Sequence, residues 1–71
     1  MPVDDRLKTI RKVQKLTQKQ VADGIGIAER HYQSFEYGKV RPSYDTLIAL
    51  ADFLDVSLDY LVGRSDNPTR Q

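Results

Sequence analysis

The 71-residue chain contains no cysteine and no tryptophan, and a single histidine, His31. Without thiols it can form neither a disulfide nor a thiolate metal site, and one imidazole cannot build a zinc site by itself. No metal and no cofactor is therefore expected. No apolar run approaches the roughly 18 residues that a membrane span needs, and the opening Met1-Pro2-Val3-Asp4-Asp5-Arg6 lacks the basic start and apolar stretch of a signal peptide. The expectation is a cytoplasmic protein with no membrane partner, and the absence of cysteine fits a reducing compartment. Seventy-one residues make one domain. At this size it buries roughly 60% of its unfolded surface, so the stability margin is modest and no second, catalytic domain fits.

Charge is scarce only in the sum. The net value of +1 hides an asymmetry: residues 6–41 carry nine Lys or Arg against three acids, a balance of +6. Residues 42–71 carry two against five, a balance of −3, and residues 1–5 add −2. A positive field concentrated on one half is the electrostatic footprint expected for phosphate, although a Lys/Arg-rich surface can also serve solubility alone.

There are no strand signals, repeats or low-complexity segments, and the periodicity is helical. Asp4 or Asp5 caps a first helix over about residues 5–14, with Leu7, Ile10 and either Val13 or Gln14 on its inner stripe and a basic outer face. Thr17-x-x-Gln20 matches a capping box and opens a second helix to about Gly24, where the glycine lowers helix propensity and predicts a short or frayed end. A third helix spans roughly Ala28–Tyr37, with Gly38 placed to end it in the left-handed region. Pro42 biases Arg41 away from helix, so residues 39–42 form an extended loop. Ser43 caps a fourth helix carrying Leu47, Ile48, Leu50, Ala51 and Leu54, with Asp45 in its first turn. Ser57 and Asp59 repeat the arrangement for a short fifth helix with Leu58, Leu61 and Val62. The polar tail, residues 64–71, contains Pro68 and no periodicity, so it reads as disordered or as an arm beyond a domain of residues 1–63.

Residues 16–38 carry the most specific pattern. From Gln18, the small Ala22 stands where two helices must cross closely, and Gly26 stands four residues later, where the chain reverses. Ile25, Ile27, Tyr32 and Phe35 supply the contacts that lock the pair at a steep angle. Two helices crossing at about 90–120° over a three- or four-residue turn form a helix-turn-helix, whose second helix fits the major groove of B-DNA.

The chain resembles the lambda-repressor and Cro family of helix-turn-helix regulators, the xenobiotic-response-element type, over about sixty positions. The matching residues are Arg11, Leu16-Thr17-Gln18, Ala22, Gly26-Ile27, Glu36-x-Gly38-Lys39, Arg41-Pro42-Ser43, and the Leu47-x-x-Leu50-Ala51 to Val56-Ser57-Leu58-x-x-Leu61 tail. The resemblance implies an all-α, compact five-helix domain with the helix-turn-helix formed by helices two and three. It also implies a transcriptional regulator, expected to be a repressor, that binds a double-stranded DNA operator with paired half-sites as a homodimer. The dimer contact is expected on helix five and the edge of helix four, through Tyr60, Val62 or Phe53; Phe53 and Tyr60 read equally as core margin.

Base readout must come from near the start of the third helix, which places Glu29, Arg30, His31, Gln33 and Ser34 at the groove. The family's reading positions correspond to Glu29, Arg30 and Ser34. Arg30 can pair with both acceptors of guanine, whereas Glu29 can only accept, from cytosine or from Arg30 itself, or else serve the helix dipole. Expected phosphate contacts are Thr17, Gln18, Lys19, Tyr37, Lys39 and Arg41, with Lys15 beside the same spot. In the family the glutamine at Gln18 binds phosphate and braces the first base-reading residue. The family also pairs an arginine of helix one with the glutamate ending the recognition helix, which implies a structural ion pair between Arg11 and Glu36. The chain departs from the family at Ala28, where a capping Ser or Thr is usual, so one backbone contact and about 1 kcal/mol of capping are lost. No nucleophile, base and orienting group stand in motif form, so no enzyme is indicated. An alternative on the same scaffold is a protein-interaction module, antitoxin-like or coactivator-like, which steep salt dependence of DNA binding would exclude.

Overall fold

Residues 3–69 are described by the structure, a computed structural model, and they form five helices and no strands. Helix α1 spans Val3–Val13, α2 Gln18–Ile25, α3 Glu29–Glu36, α4 Tyr44–Leu54 and α5 Leu58–Leu61. The all-α, five-helix expectation holds, and the differences lie at helix ends.

Local chemistry sets those ends. Thr17 forms the capping box: its hydroxyl accepts from Gln20 N at 3.0 Å, and Gln20 Oε1 accepts from Thr17 N at 2.8 Å. Ser43 accepts from Thr46 N at 3.2 Å and Ser57 from Tyr60 N at 3.0 Å, so two more helix starts have a partner for an otherwise orphan N–H. Ala28 holds the equivalent position before α3 and makes no side-chain cap bond. Helix α1 begins earlier than expected: Asp4 and Asp5 lie in its first turn, where they complement the dipole, rather than ahead of it.

Each described helix is followed by one residue in the left-handed region: Lys15, Gly26, Gly38, Asp55 and Gly63, with φ between 58 and 83°. The next backbone N–H then reaches back five residues, as from Leu16 to Arg11 O, Ile27 to Ala22 O and Lys39 to Ser34 O. This is the Schellman closure, which satisfies carbonyls left without helical partners. Glycine adopts the conformation freely at Gly26 and Gly38, whereas Lys15 and Asp55 adopt it against steric cost.

The buried centre comprises Leu7, Ile10, Val21, Ala22, Tyr32, Phe35, Leu50, Ala51, Leu54, Val56 and Leu61, with Leu16, Ile25, Ile27, Leu47 and Leu58 packed around it. Ala22 is fully buried where α2 meets α3, as the spacing required. Val13 is not on the inner stripe but 76% exposed; Gln14 is exposed too, but its amide donates to Leu54 O at 2.6 Å and ties the end of α1 to the end of α4. Ile48 is likewise at the surface. Gly24 does not terminate α2, which runs on to Ile25. Its role is close approach: a Cβ there would lie 2.2 Å from Phe53 Cε1, so the ring of α4 covers the bare backbone of α2.

The tail takes definite partners instead of leaving the domain. Pro68 O accepts from Ser57 N at 2.9 Å, Asn67 O accepts from Ser57 Oγ at 3.3 Å, and Arg64 N donates to Asp59 O at 2.8 Å. Residues 64–69 thus fold back on the start of α5, where the composition suggested disorder; residues 70 and 71, part of that expected tail, lie outside the described residues. Arg6 completes this corner. Its guanidinium stacks 4.3 Å from the Tyr60 ring centroid and stands 3.6 Å from Asp66.

Candidate nucleic-acid interface

The interface is built on one buried carboxylate. Glu36 closes α3 with its side chain only 1% exposed, so its charge has to be met by donors. Arg11 of α1 donates from Nε to Glu36 Oε2 at 2.6 Å and from Nη2 to Oε1 at 3.1 Å, and its third nitrogen donates to Leu16 O at 2.9 Å. Tyr32, one turn earlier on α3, donates to Oε2 at 2.5 Å, and Gln18 Nε2 donates to Oε1 at 3.1 Å. The expected ion pair is therefore the centre of a wider network joining α1, α2 and α3.

Protonation states follow from that geometry. Burial alone would raise the Glu36 carboxyl, but the donors, Arg11 first, then Tyr32 and Gln18, outweigh it and hold the group below the usual carboxylate range. The Glu36 hydrogen bond raises the Arg11 guanidinium further. Burial, followed by the bond to Glu36, pushes the Tyr32 hydroxyl well above its ordinary value. The network is thus fixed as cation, anion and neutral phenol across the physiological range.

Outside this centre, the first turn of α3 is open. Glu29, Arg30 and His31 are exposed, and among the described residues the Glu29 and Arg30 side chains enter no hydrogen bond or ion pair, not even with each other. The Arg30 guanidinium is left with its full donor fork. His31 lies edge-on to Phe35, ring centroids 4.7 Å apart, and its carbonyl accepts from Ser34 Oγ. Ser34 therefore spends its proton on its own helix and keeps lone pairs to offer. Gln33 is half-buried and turned sideways, donating from Nε2 to Gln18 Oε1 at 3.1 Å. The family's glutamine contact thus appears with a different partner, Gln33 rather than the expected Glu29.

Around that helix, Thr17, Tyr37, Lys39 and Arg41 are exposed, as is Lys15. Lys19 is exposed but paired with Asp23 at 3.1 Å along α2, which competes with any other anion. Lys8 and Lys12, one turn apart on α1, line the same open depression as Arg11, Thr17, Gln18, Glu29 and Tyr37. The sequence marked α1 as basic without singling them out; their i, i+4 spacing beside Arg11 was the available signal. Among the described residues no group of three or more His, Asp or Glu side chains could hold a metal ion, and no helix is long and apolar enough to cross a membrane.

The arrangement matches a known class. The helix-turn-helix family model covers residues 7–61, and the chain belongs to that family. Over 63 residues it is 44% identical to the HTH-type transcriptional regulator YobD of Bacillus subtilis, spanning 89% of this chain and 56% of that protein. It is 41% identical over 64 residues to the cryptic phage CTXphi transcriptional repressor RstR of Vibrio cholerae, spanning 90% of this chain and 57% of that one. The P22 c2 repressor, solved in complex with a synthetic operator, superposes with a TM-score of 0.84 at 25% identity over 92% of this chain and 98% of that one. The chain thus spans just over half the length of these two relatives by sequence and nearly all of the solved P22 repressor chain by structure. The family is one of transcription regulators and not an enzyme family.

Proposed function

We propose that the chain binds double-stranded DNA sequence-specifically as a transcriptional repressor, with α3 in the major groove. The observation that carries this reading is the open first turn of α3, where among the described residues the Glu29 and Arg30 side chains have no partner while the other end of the helix is anchored by a buried network. A recognition helix meets base edges with the side chains of its N-terminal turn, which is the turn left unengaged here. Arg30 is the guanine reader, with Glu29, His31 and Ser34 beside it. Thr17, Gln18, Tyr37, Lys39 and Arg41 hold phosphates, with Lys8 and Lys12 extending the basic rim and Lys19 available once released from Asp23. The repressor character rests on the names of RstR and the P22 protein.

The bound form is a two-fold homodimer on paired half-sites, with recognition helices about 34–36 Å apart, one turn of DNA, since one short helix reads too few bases to select a site. Its contact runs along α5 and the adjoining edge of α4, where Phe53 is exposed and Val62 half-buried; Tyr60 is already engaged by Arg6. Selection from random duplex DNA followed by footprinting tests both parts. A recovered site with two symmetric protected half-sites is the expected result. A footprint with one half-site and one protein per duplex would remove the dimer, and recovery of no preferred site would remove sequence-specific binding.

A further inference from the structure

Glu36 imposes a direction on the side chains around it. An ionised carboxylate can only accept, and its two oxygens here take four donors: Arg11 twice, Tyr32 and Gln18. The Gln18 amide must therefore turn its NH2 inward to Glu36 and its carbonyl outward. A carbonyl also only accepts, so Gln33 must turn its own NH2 to Gln18 Oε1, 3.1 Å away. The orientation of both amides is thereby settled by a residue at the far end of α3.

Gln33 is left with one amide N–H spent on Gln18 and its stem half-buried. Bidentate reading of adenine needs the amide oxygen and its neighbouring N–H aimed together at the base edge, whereas the bond to Gln18 turns this amide toward α2. Gln18 sits at the start of α2, and among the described residues its second N–H has no partner. Resting on the DNA-binding reading above, we infer that Gln33 is a positioning residue: it holds the Gln18 amide so that its remaining N–H meets a phosphate, and it does not read a base. Readout is then confined to the first turn of α3 and Ser34, and Gln33 acts on affinity for every sequence alike.

The experiment measures binding of the full chain to its selected duplex and to a scrambled duplex, using the unsubstituted protein, Gln33→Met, Gln18→Met and the double variant. Methionine keeps the length of glutamine and removes the hydrogen bond. Gln33→Met is expected to weaken both duplexes by the same factor, roughly threefold to tenfold, as loss of one such bond implies, with base preferences unchanged at every operator position. The double variant is expected to bind no more weakly than Gln18→Met alone, because the second change removes an interaction already lost. Relaxed preference at one base pair with scrambled binding intact would overturn the inference, as would additive losses in the double variant or a Gln33→Met protein equal to the unsubstituted one. Should Gln33→Met unfold, Gln33→Glu carries the same test, since it faces the Gln18 carbonyl with acceptors only. If the unsubstituted chain shows no preference for its selected duplex, the DNA-reading assignment itself fails; if it does and Gln33→Met matches it, only the positioning role fails.

Discussion

Residues 6–41 and residues 42–69 solve the same packing problem with different chemistry. The first half adds to its share of the apolar core a polar hub joining α1, α2 and α3, Glu36 with Arg11, Tyr32 and Gln18, and spreads exposed cations over its surface. The second half packs α4 and α5 through Leu50, Ala51, Leu54, Val56 and Leu61 and carries its surface charge as carboxylates. Both halves end their helices by the same left-handed closure. The difference teaches where directionality is needed. Apolar packing holds helices together but fixes no side-chain orientation, whereas a buried carboxylate orients every donor around it. That property belongs in the half that presents side chains to a partner. A whole-chain charge of +1 conceals the division entirely.

The comparison breaks first at the hub. Arg11→Ala leaves the Glu36 charge buried without its main partner and is expected to destabilise by about 3–5 kcal/mol in urea unfolding, with a much smaller loss when Glu36 is replaced at the same time. If Arg11→Ala costs no more than an exposed ion pair, the hub does not organise this half. Leu50→Ala probes the apolar half and should cost about 2–5 kcal/mol through the cavity it leaves, while the salt slope of DNA binding stays unchanged in the folded fraction. A changed slope would mean that the two halves are not separable.

pH sharpens the same contrast. Glu36 has a folded pKa below its unfolded one, so its contribution is present above the ordinary value of 4.5 and is lost as pH falls through the depressed folded value. Tyr32 has a folded pKa above its unfolded one, so its contribution is present below the ordinary value of 10.0 and declines as pH rises past it. Stability should therefore form a plateau between these limits, and in Glu36→Gln the acid shoulder should shrink. An unaltered acid shoulder in that variant would assign acid unfolding to other carboxylates. The smallest effects are expected at Lys15→Gly and Asp55→Gly, each relieving a left-handed non-glycine residue for a gain of under about 1 kcal/mol in thermal unfolding. A loss at either site would show that the existing side chain contributes more than its backbone strain costs.

Features that depend on near neighbours were legible in the sequence: the Thr17–Gln20 capping box, the Ser43 and Ser57 caps, and the left-handed glycines at Gly26 and Gly38. Features set by tertiary contact were not. Gly24 reads as a weak point in a helix until Phe53 is seen to lie over it. Arg6 reads as one more surface cation, yet it is buried against Tyr60 and faces a tail that polar composition suggested was disordered. Lys15 and Asp55 carry no glycine to announce their turns. In the candidate site, Arg11 with Glu36 was legible through resemblance, and the open turn at Glu29 and Arg30 through helix position. The partner of Gln18 was not, because Glu29 and Gln33 lie on the same short helix and only the orientation imposed by Glu36 selects between them.

The central claim is that the first turn of α3 reads bases while the surrounding cations hold phosphates, and Arg30 and Lys39 separate the two roles. Salt titrations of Arg30→Ala and Lys39→Ala on selected and scrambled duplexes measure this directly. Arg30→Ala is expected to lose about 1–3 kcal/mol on the selected site and to flatten the preference at one base pair, with scrambled binding little changed. Lys39→Ala is expected to weaken both duplexes nearly alike and to lower the salt slope by about one. Equal losses on both duplexes for Arg30→Ala would make Arg30 a phosphate contact and contradict the account.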